Sequence, residues 1–242
     1  MLDLLNNTTR TYTRQLGMLI FFSIPFLVSL IIPLFSPAPT YVALGGYFLR
    51  SGSLPDITPT EWVVVGVAVL VSLYLLSLAL VAINLVVKAT RTKTKVGTEA
   101  LRNLGKYSMT VFALFLAVKI VETLILYAVI QNGATEFVVY VFAFLTSLGL
   151  FYVAPAVVLE EKKPVPAFAS SYAHVARKPL HFLAWLILAF LVLAIITVAT
   201  YAVIDAPMTR QLIIALISSL LVMPFLLILQ AQMYLMKYTI LQ

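Results

Sequence analysis

The chain has no cysteine, two histidines and few charges: 10% of its residues are charged, against about a quarter in ordinary soluble domains. Without cysteine there is no disulfide, no thiolate metal ligand and no cysteine nucleophile. His174 and His181 have no carboxylate at a ligand spacing, so no metal site and no cofactor are expected. No Gly-rich phosphate loop, HExxH or GxSxG occurs. Asp3, Asp56 and Asp205 all fall outside the apolar runs, which excludes an intramembrane aspartyl dyad. These absences point away from an enzyme. Nothing in the chain suggests a nucleic-acid partner.

What is present is hydrocarbon. Hydrophobic residues make up 62% of the 242, with a mean hydropathy of +1.06, a composition that implies a polytopic membrane protein. Apolar blocks run from end to end and leave no stretch for a separate soluble core, so one membrane domain over 1–242 is expected. A bilayer core about 30 Å thick takes about 20 helical residues. Six runs meet that length, at 16–35, 62–87, 109–130, 136–159, 181–204 and 211–236, and the fold class is therefore all-α. Continuous apolarity rules against barrel strands, which alternate. The first run is longer than a signal-peptide core and lacks a small-residue cleavage site, so it is read as a span.

Charge alternates between the connections. Arg10 and Arg14 precede the first span; Lys88, Arg91, Lys93, Lys95, Arg102 and Lys106 lie between spans two and three. Lys162, Lys163, Arg177 and Lys178 lie between spans four and five, and Lys237 ends span six. The opposite side has Arg50 and Arg210 beside Asp56, Glu61, Glu136 and Asp205. The positive-inside rule then places both termini in the cytoplasm of a multi-pass cell-membrane protein. Outside, "QNGATE" and "DAPMTR" read as tight turns joining close hairpins. The first outer loop is much longer, and its "YVALGGYFL" is apolar enough for the interface. That loop ends in Thr58-Pro59-Thr60-Glu61, a capping box with proline at the first helical position. "EEKK" at 160–163 reads as a solvated mixed-charge turn.

A short basic segment precedes each odd-numbered span: "LLNNTTRTYTRQLG", "GTEALRNLGKYSM" and "AFASSYAHVARKPL". Superposing Arg10/Arg14, Arg102/Lys106 and His174/Lys178 repeats an i, i+4 basic pair at a similar distance from the next run. Apolar positions follow helical spacing at Leu2, Leu5, Thr9 and Tyr12, at Leu101, Leu104 and Ser108, and at Phe168, Tyr172 and Val175. The expectation is three hairpins of parallel orientation, each preceded by an amphipathic cytoplasmic helix lying among the headgroups. The plainer alternative is that these basic residues only set topology. A parallel repeat differs from the inverted repeats common in secondary transporters.

The stretch "FYVAPAVVLEEKKPVPAFASSYAHVARKPLHFLAWLI", with Pro155, Glu160, Glu161, Ala167 and Ser171, resembles the membrane domain of glycerophosphoryl diester phosphodiesterases and related uncharacterised bacterial and archaeal proteins. "MPFLLILQAQMYLM", with Pro224 and Tyr234, is similar to that family's last helix. The resemblance implies a six-helix membrane module. It carries over no phosphodiesterase activity, because the catalytic domain is not in this sequence.

Within the third run, Lys119 and Glu122 sit three residues apart, on one helical face, about 16 Å from either end for Lys119. A charge at that depth costs roughly 2.5–3.5 kcal/mol on insertion scales. Two readings are open. Either the pair neutralises itself or meets polar groups such as Asn84 and Gln230 to fix packing, or these residues line a polar site for an ion, proton or lipid headgroup. The expected function is a non-enzymatic membrane module that organises lipids or partner proteins at the cytoplasmic face through Arg10, Arg14, Arg102, Lys106, Arg177 and Lys178. The alternatives are a small transporter or channel built on Lys119 and Glu122, and an accessory subunit of a larger complex. Expected partners are membrane lipids, with a homo-oligomer or a partner membrane protein as further possibilities.

Overall fold

The computed structural model describes residues 2–32, 58–94, 96–132 and 137–236, and every regular element among them is helical. In chain order these are α1 (Leu2–Arg14), α2 (Leu16–Ile31), α3 (Pro59–Thr92), α4 (Val96–Gln131), α5 (Phe137–Phe151) and α6 (Val153–Leu159). They continue as α7 (Pro164–Arg177), α8 (Pro179–Val203), α9 (Pro207–Ile217), a π-helical turn (Ser218–Val222) and α10 (Met223–Leu235). The apolar middle of the first outer loop, with Arg50 and Asp56, lies outside the described residues, as do Lys95, Glu136 and Lys237.

Local chemistry sets the helix starts. Pro59, Pro164, Pro179 and Pro207 open α3, α7, α8 and α9, where a missing N–H leaves no helical bond unmade. The Thr58 capping box is formed: its amide donates to Glu61 Oε2 at 2.7 Å, and the Glu61 amide returns to Thr58 Oγ1 at 3.4 Å. The Arg210 guanidinium lies 3.6 Å from the centre of the Tyr201 ring and fastens the α8–α9 turn.

Five stretches are long and apolar enough to cross a membrane: Pro59–Thr92, Arg102–Val129, Phe137–Leu159, Pro179–Val203 and Pro207–Leu235. A sixth arises if α1 and α2, bent by 88° at Gln15, count as one span. The chain is a helical membrane protein. By itself α2 has 16 residues, about 24 Å of helix and short of a bilayer core.

Packing is uneven along the bundle. The end that carries Lys88, Lys106, Lys162 and Lys178, called here the basic end, holds the dense core. There Val81, Ile83, Leu85 and Val86 of α3, Tyr152 and Val153 at the α5–α6 junction, and Leu226, Leu229 and Tyr234 of α10 are fully or almost fully covered. Toward the other end Val63, Val67, Phe137, Phe144, Ile195 and Val198 present bare apolar side chains, as a lipid-facing surface does. The most intimate helix pair is α3 with α4, joined at the basic end, and not either of the expected outer-turn hairpins. Round the bundle α2, α3, α4 and α5 follow one another, the π turn with α9 and α10 closes back onto α2, and the backbones of α5 and α8 do not approach closely.

The three pre-span segments differ from one another. α1 and α7 are separate helices, but the middle segment is the first part of the unbroken 36-residue α4. Both α1 and α7 are docked on the bundle. α1 packs on α10 through Leu4 and Thr8, not Thr9, and the Tyr12 ring meets Phe225 edge-on at 5.7 Å. α7 packs under α5 and α6 through Ala167, Phe168, Ser171, His174 and Val175, while Tyr172 is 44% exposed. Helical period fixed which residues share a side; the docking surface decided which side is inward.

Gly149 of α5 lets α7 approach. A methyl group there would overlap the Phe168 ring, and a rigid aromatic in a packed interface yields only by moving its helix. Gly149→Ala is expected to lower stability by about 1–3 kcal/mol. Thermal unfolding in mild detergent, compared with Gly105→Ala at an open position, checks this.

Candidate functional site

Three polar assemblies stand out, and the first is the intramembrane pair. Lys119 Nζ lies 2.8 Å from Glu122 Oε2, and Thr146 Oγ1 of α5 donates to Glu122 Oε1 at 2.8 Å. Glu122 is 6% exposed. Both carboxylate oxygens are therefore engaged, by one cation and one hydroxyl, between two adjacent spans. The expected help from Asn84 and Gln230 is absent: Asn84 Nδ2 donates to Leu80 O within its own helix at 2.8 Å, and Gln230 bonds elsewhere.

The second assembly is a repaired break in the fourth span. Pro155 has no N–H for the carbonyl of Phe151, four residues earlier, and that carbonyl accepts a 2.6 Å bond from Gln230 Nε2 of α10 instead. One residue on, the helix opens at Tyr152. Its amide donates to Ser171 Oγ at 2.8 Å, and that hydroxyl passes its own proton to Leu148 O at 3.3 Å. Ser171 of α7 thus bridges the donor and acceptor that an intact helix would join directly. The ladder resumes with Ala156 N to Tyr152 O at 2.9 Å.

Directly beside it lies a closed polar ring. Lys162 Nζ donates to Ser170 Oγ at 2.8 Å; Ser170 meets Tyr234 Oη at 3.0 Å; Tyr234 donates to Glu160 Oε2 at 2.9 Å; and Lys162 pairs with Glu160 at 2.6 Å. Since Tyr234 gives its proton to Glu160 and Ser170 accepts from Lys162, Ser170 is the donor to Tyr234. His174 packs edge-on to Tyr152 at 4.8 Å and lies 5.2 Å from Tyr234. It is buried and does not form an exposed basic pair with Lys178. Glu161, at a left-handed φ of 54°, turns outward to Lys88 Nζ at 2.8 Å. That ammonium, helped by the Tyr107 hydroxyl, holds the Glu161 carboxyl below the usual carboxylate range. The expected solvated "EEKK" turn is instead an anchor of α3, α7 and α10.

The third assembly is the basic surface. Arg10, Arg14, Arg102, Lys106 and Arg177 are exposed and Lys178 is half-buried. Among the described residues no carboxylate forms a salt bridge with any of them. The sequence reading missed Ser170, Ser171, Tyr234 and Glu160 as a joint. The available signal was Pro155, which orphans one carbonyl and so demands a donor from another helix. Comparison of the chain with protein-family models, curated proteins and solved structures finds no match.

Two outcomes are expected from denaturation in detergent. Breaking the first assembly with Lys119→Met alone should cost about 3–5 kcal/mol, while Lys119→Met with Glu122→Leu should recover most of that loss. Gln230→Leu should cost about 1–3 kcal/mol by stranding the Phe151 carbonyl. Adding Pro155→Ala, which restores the missing N–H, should reduce that cost.

Proposed function

We propose that the protein is a non-enzymatic membrane module that gathers anionic lipid at one end of its bundle, with both termini cytoplasmic. In this reading the six spans form three hairpins of like orientation, and the basic segments before spans one, three and five meet the headgroups. The observation that carries the reading is how charge is partitioned at the basic end. Glu160 and Glu161 are each paired with a lysine, while Arg10, Arg14, Arg102, Lys106 and Arg177 are exposed and Lys178 half-buried, so among the described residues the outward charge there is positive. Each basic residue near an anionic surface contributes about 1 kcal/mol. Several acting together suffice to select lipids by charge.

The transport reading has less support, since Lys119, Glu122 and Thr146 satisfy one another. The likeness to the membrane domain of glycerophosphoryl diester phosphodiesterases gains physical sense from the joint. Of the residues that carry it, Pro155, Glu160, Ser171 and Tyr234 lie at the repaired break or the ring beside it, whereas Glu161 pairs with Lys88 and Pro224 lies in neither.

Spin-labelled phosphatidylglycerol and phosphatidylcholine in nanodiscs measure selectivity around the protein. The native chain should favour the anionic lipid, less so as salt rises. Replacing Arg10, Arg14, Arg102, Lys106, Arg177 and Lys178 with Gln should abolish the preference, and an unchanged preference would remove the reading.

A further inference from the structure

A cavity of about 270 Å³ lies inside the ring of spans. Phe26 and Leu30 of α2, Leu76 and Leu80 of α3, Phe151 of α5 and Trp185 of α8 form much of its wall. Its wall is almost wholly apolar, and each of its few polar side chains already gives a proton to a backbone carbonyl. Ser29 Oγ donates to Phe26 O, Ser219 Oγ to Ala215 O, Gln230 Nε2 to Phe151 O and Trp185 Nε1 to Leu226 O, all between 2.6 and 2.8 Å.

Those commitments decide what can fill the space. A buried water needs two or more free polar partners, and an apolar void without them stays dry. An empty void forfeits the dispersion contacts of every atom in its wall. Hydrocarbon is the remaining filling, and the bilayer supplies it. The cavity is not sealed, and α5 and α8, which both contribute to its wall, make no close backbone approach. Toward the basic end Phe151 meets both Phe182 and Trp185 edge-to-face, at 4.8 and 4.9 Å, and bridges the two helices there.

We propose that this cavity binds one acyl chain of an anionic phospholipid, inserted sideways between α5 and α8, with the phosphate at the α7–α8 corner. The charge at that corner selects the lipid. Arg177 is exposed, and Lys178 sits between α7 and α8, directly before Pro179 and about one and a half to two turns of α8 from Trp185. That offset suits a phosphate at the membrane surface and a tail starting at the level of the indole. A cavity of about 270 Å³ takes part of one tail. The inference deepens the lipid-gathering reading but rests on different residues. It makes one lipid a resident of the fold, distinct from the exchangeable shell.

Native mass spectrometry of the delipidated protein, with phosphatidylglycerol or phosphatidylcholine added back, tests it. The native chain should hold one phosphatidylglycerol per chain and much less phosphatidylcholine. Ser29→Leu and Leu76→Phe, each filling the cavity from a different helix, should lower that occupancy at least tenfold while keeping a cooperative melt. Neutralising Arg10, Arg14, Arg102 and Lys106 should spoil shell selectivity and leave the resident lipid bound, which separates this proposal from the broader one. Lipid retained in both filled variants, or no bound lipid in the native chain, would overturn it.

Discussion

In hydrocarbon there is no water to satisfy a broken backbone, so every amide and carbonyl of a span must find its partner inside the protein. The fourth span breaks that rule at Phe151 and Tyr152, and much of the architecture follows from the repair. Ser171 must reach the Tyr152 amide and the Leu148 carbonyl together, which fixes the depth and rotation of α7. With α7 so placed, Phe168 falls on Gly149, His174 lies against Tyr152, and Ser170 faces Tyr234. Gln230 ties α10 to the same point from the other side. A helix that looked like a surface float is a structural splint.

Electrostatics follow the same division between inside and outside. Among the described residues, Glu160 and Glu161 are each paired with a lysine and Glu122 with Lys119, while the exposed arginines at the basic end have no carboxylate partner. Because Glu160 is bound by a lysine and a tyrosine at once, the ring holds α10 to α7 through directional bonds. Apolar packing there has no such angular preference. The tight end of the bundle is accordingly also its polar end, and the opposite half relies on the bilayer for its lateral neighbours.

The spans were legible because hydropathy over 20 residues reports a requirement each helix meets alone. The Thr58–Glu61 box was legible for the same reason: both partners lie within one turn. Burial faces were less so. Tyr172 and Thr9 sit at acceptable helical spacing yet face outward, since the period defines several equivalent stripes and the partner helix chooses among them. The fusion of the middle basic segment with its span left no mark, because 96–108 lacks the proline that separates α7 from α8 at Pro179. Glu160 and Gln230 were misread for a further reason. Their partners, Tyr234 and Phe151, are 74 and 79 residues away, and local charge pattern says nothing at that range. The orphaned carbonyl behind Pro155 was the one long-range demand written in the sequence itself, though not the identity of the side chain that answers it.

The 79 residues between Phe151 and Gln230 also set a clock. At a synthesis rate of 5–20 residues per second, the donor reaches the ribosome exit about 4–16 s after its acceptor. For that interval the nascent fourth span carries a carbonyl with no lasting partner in the chain. Until α10 arrives, that span is one inter-helix hydrogen bond short of its final state. Synthesis of α10 then supplies the partner that the broken fourth span has lacked.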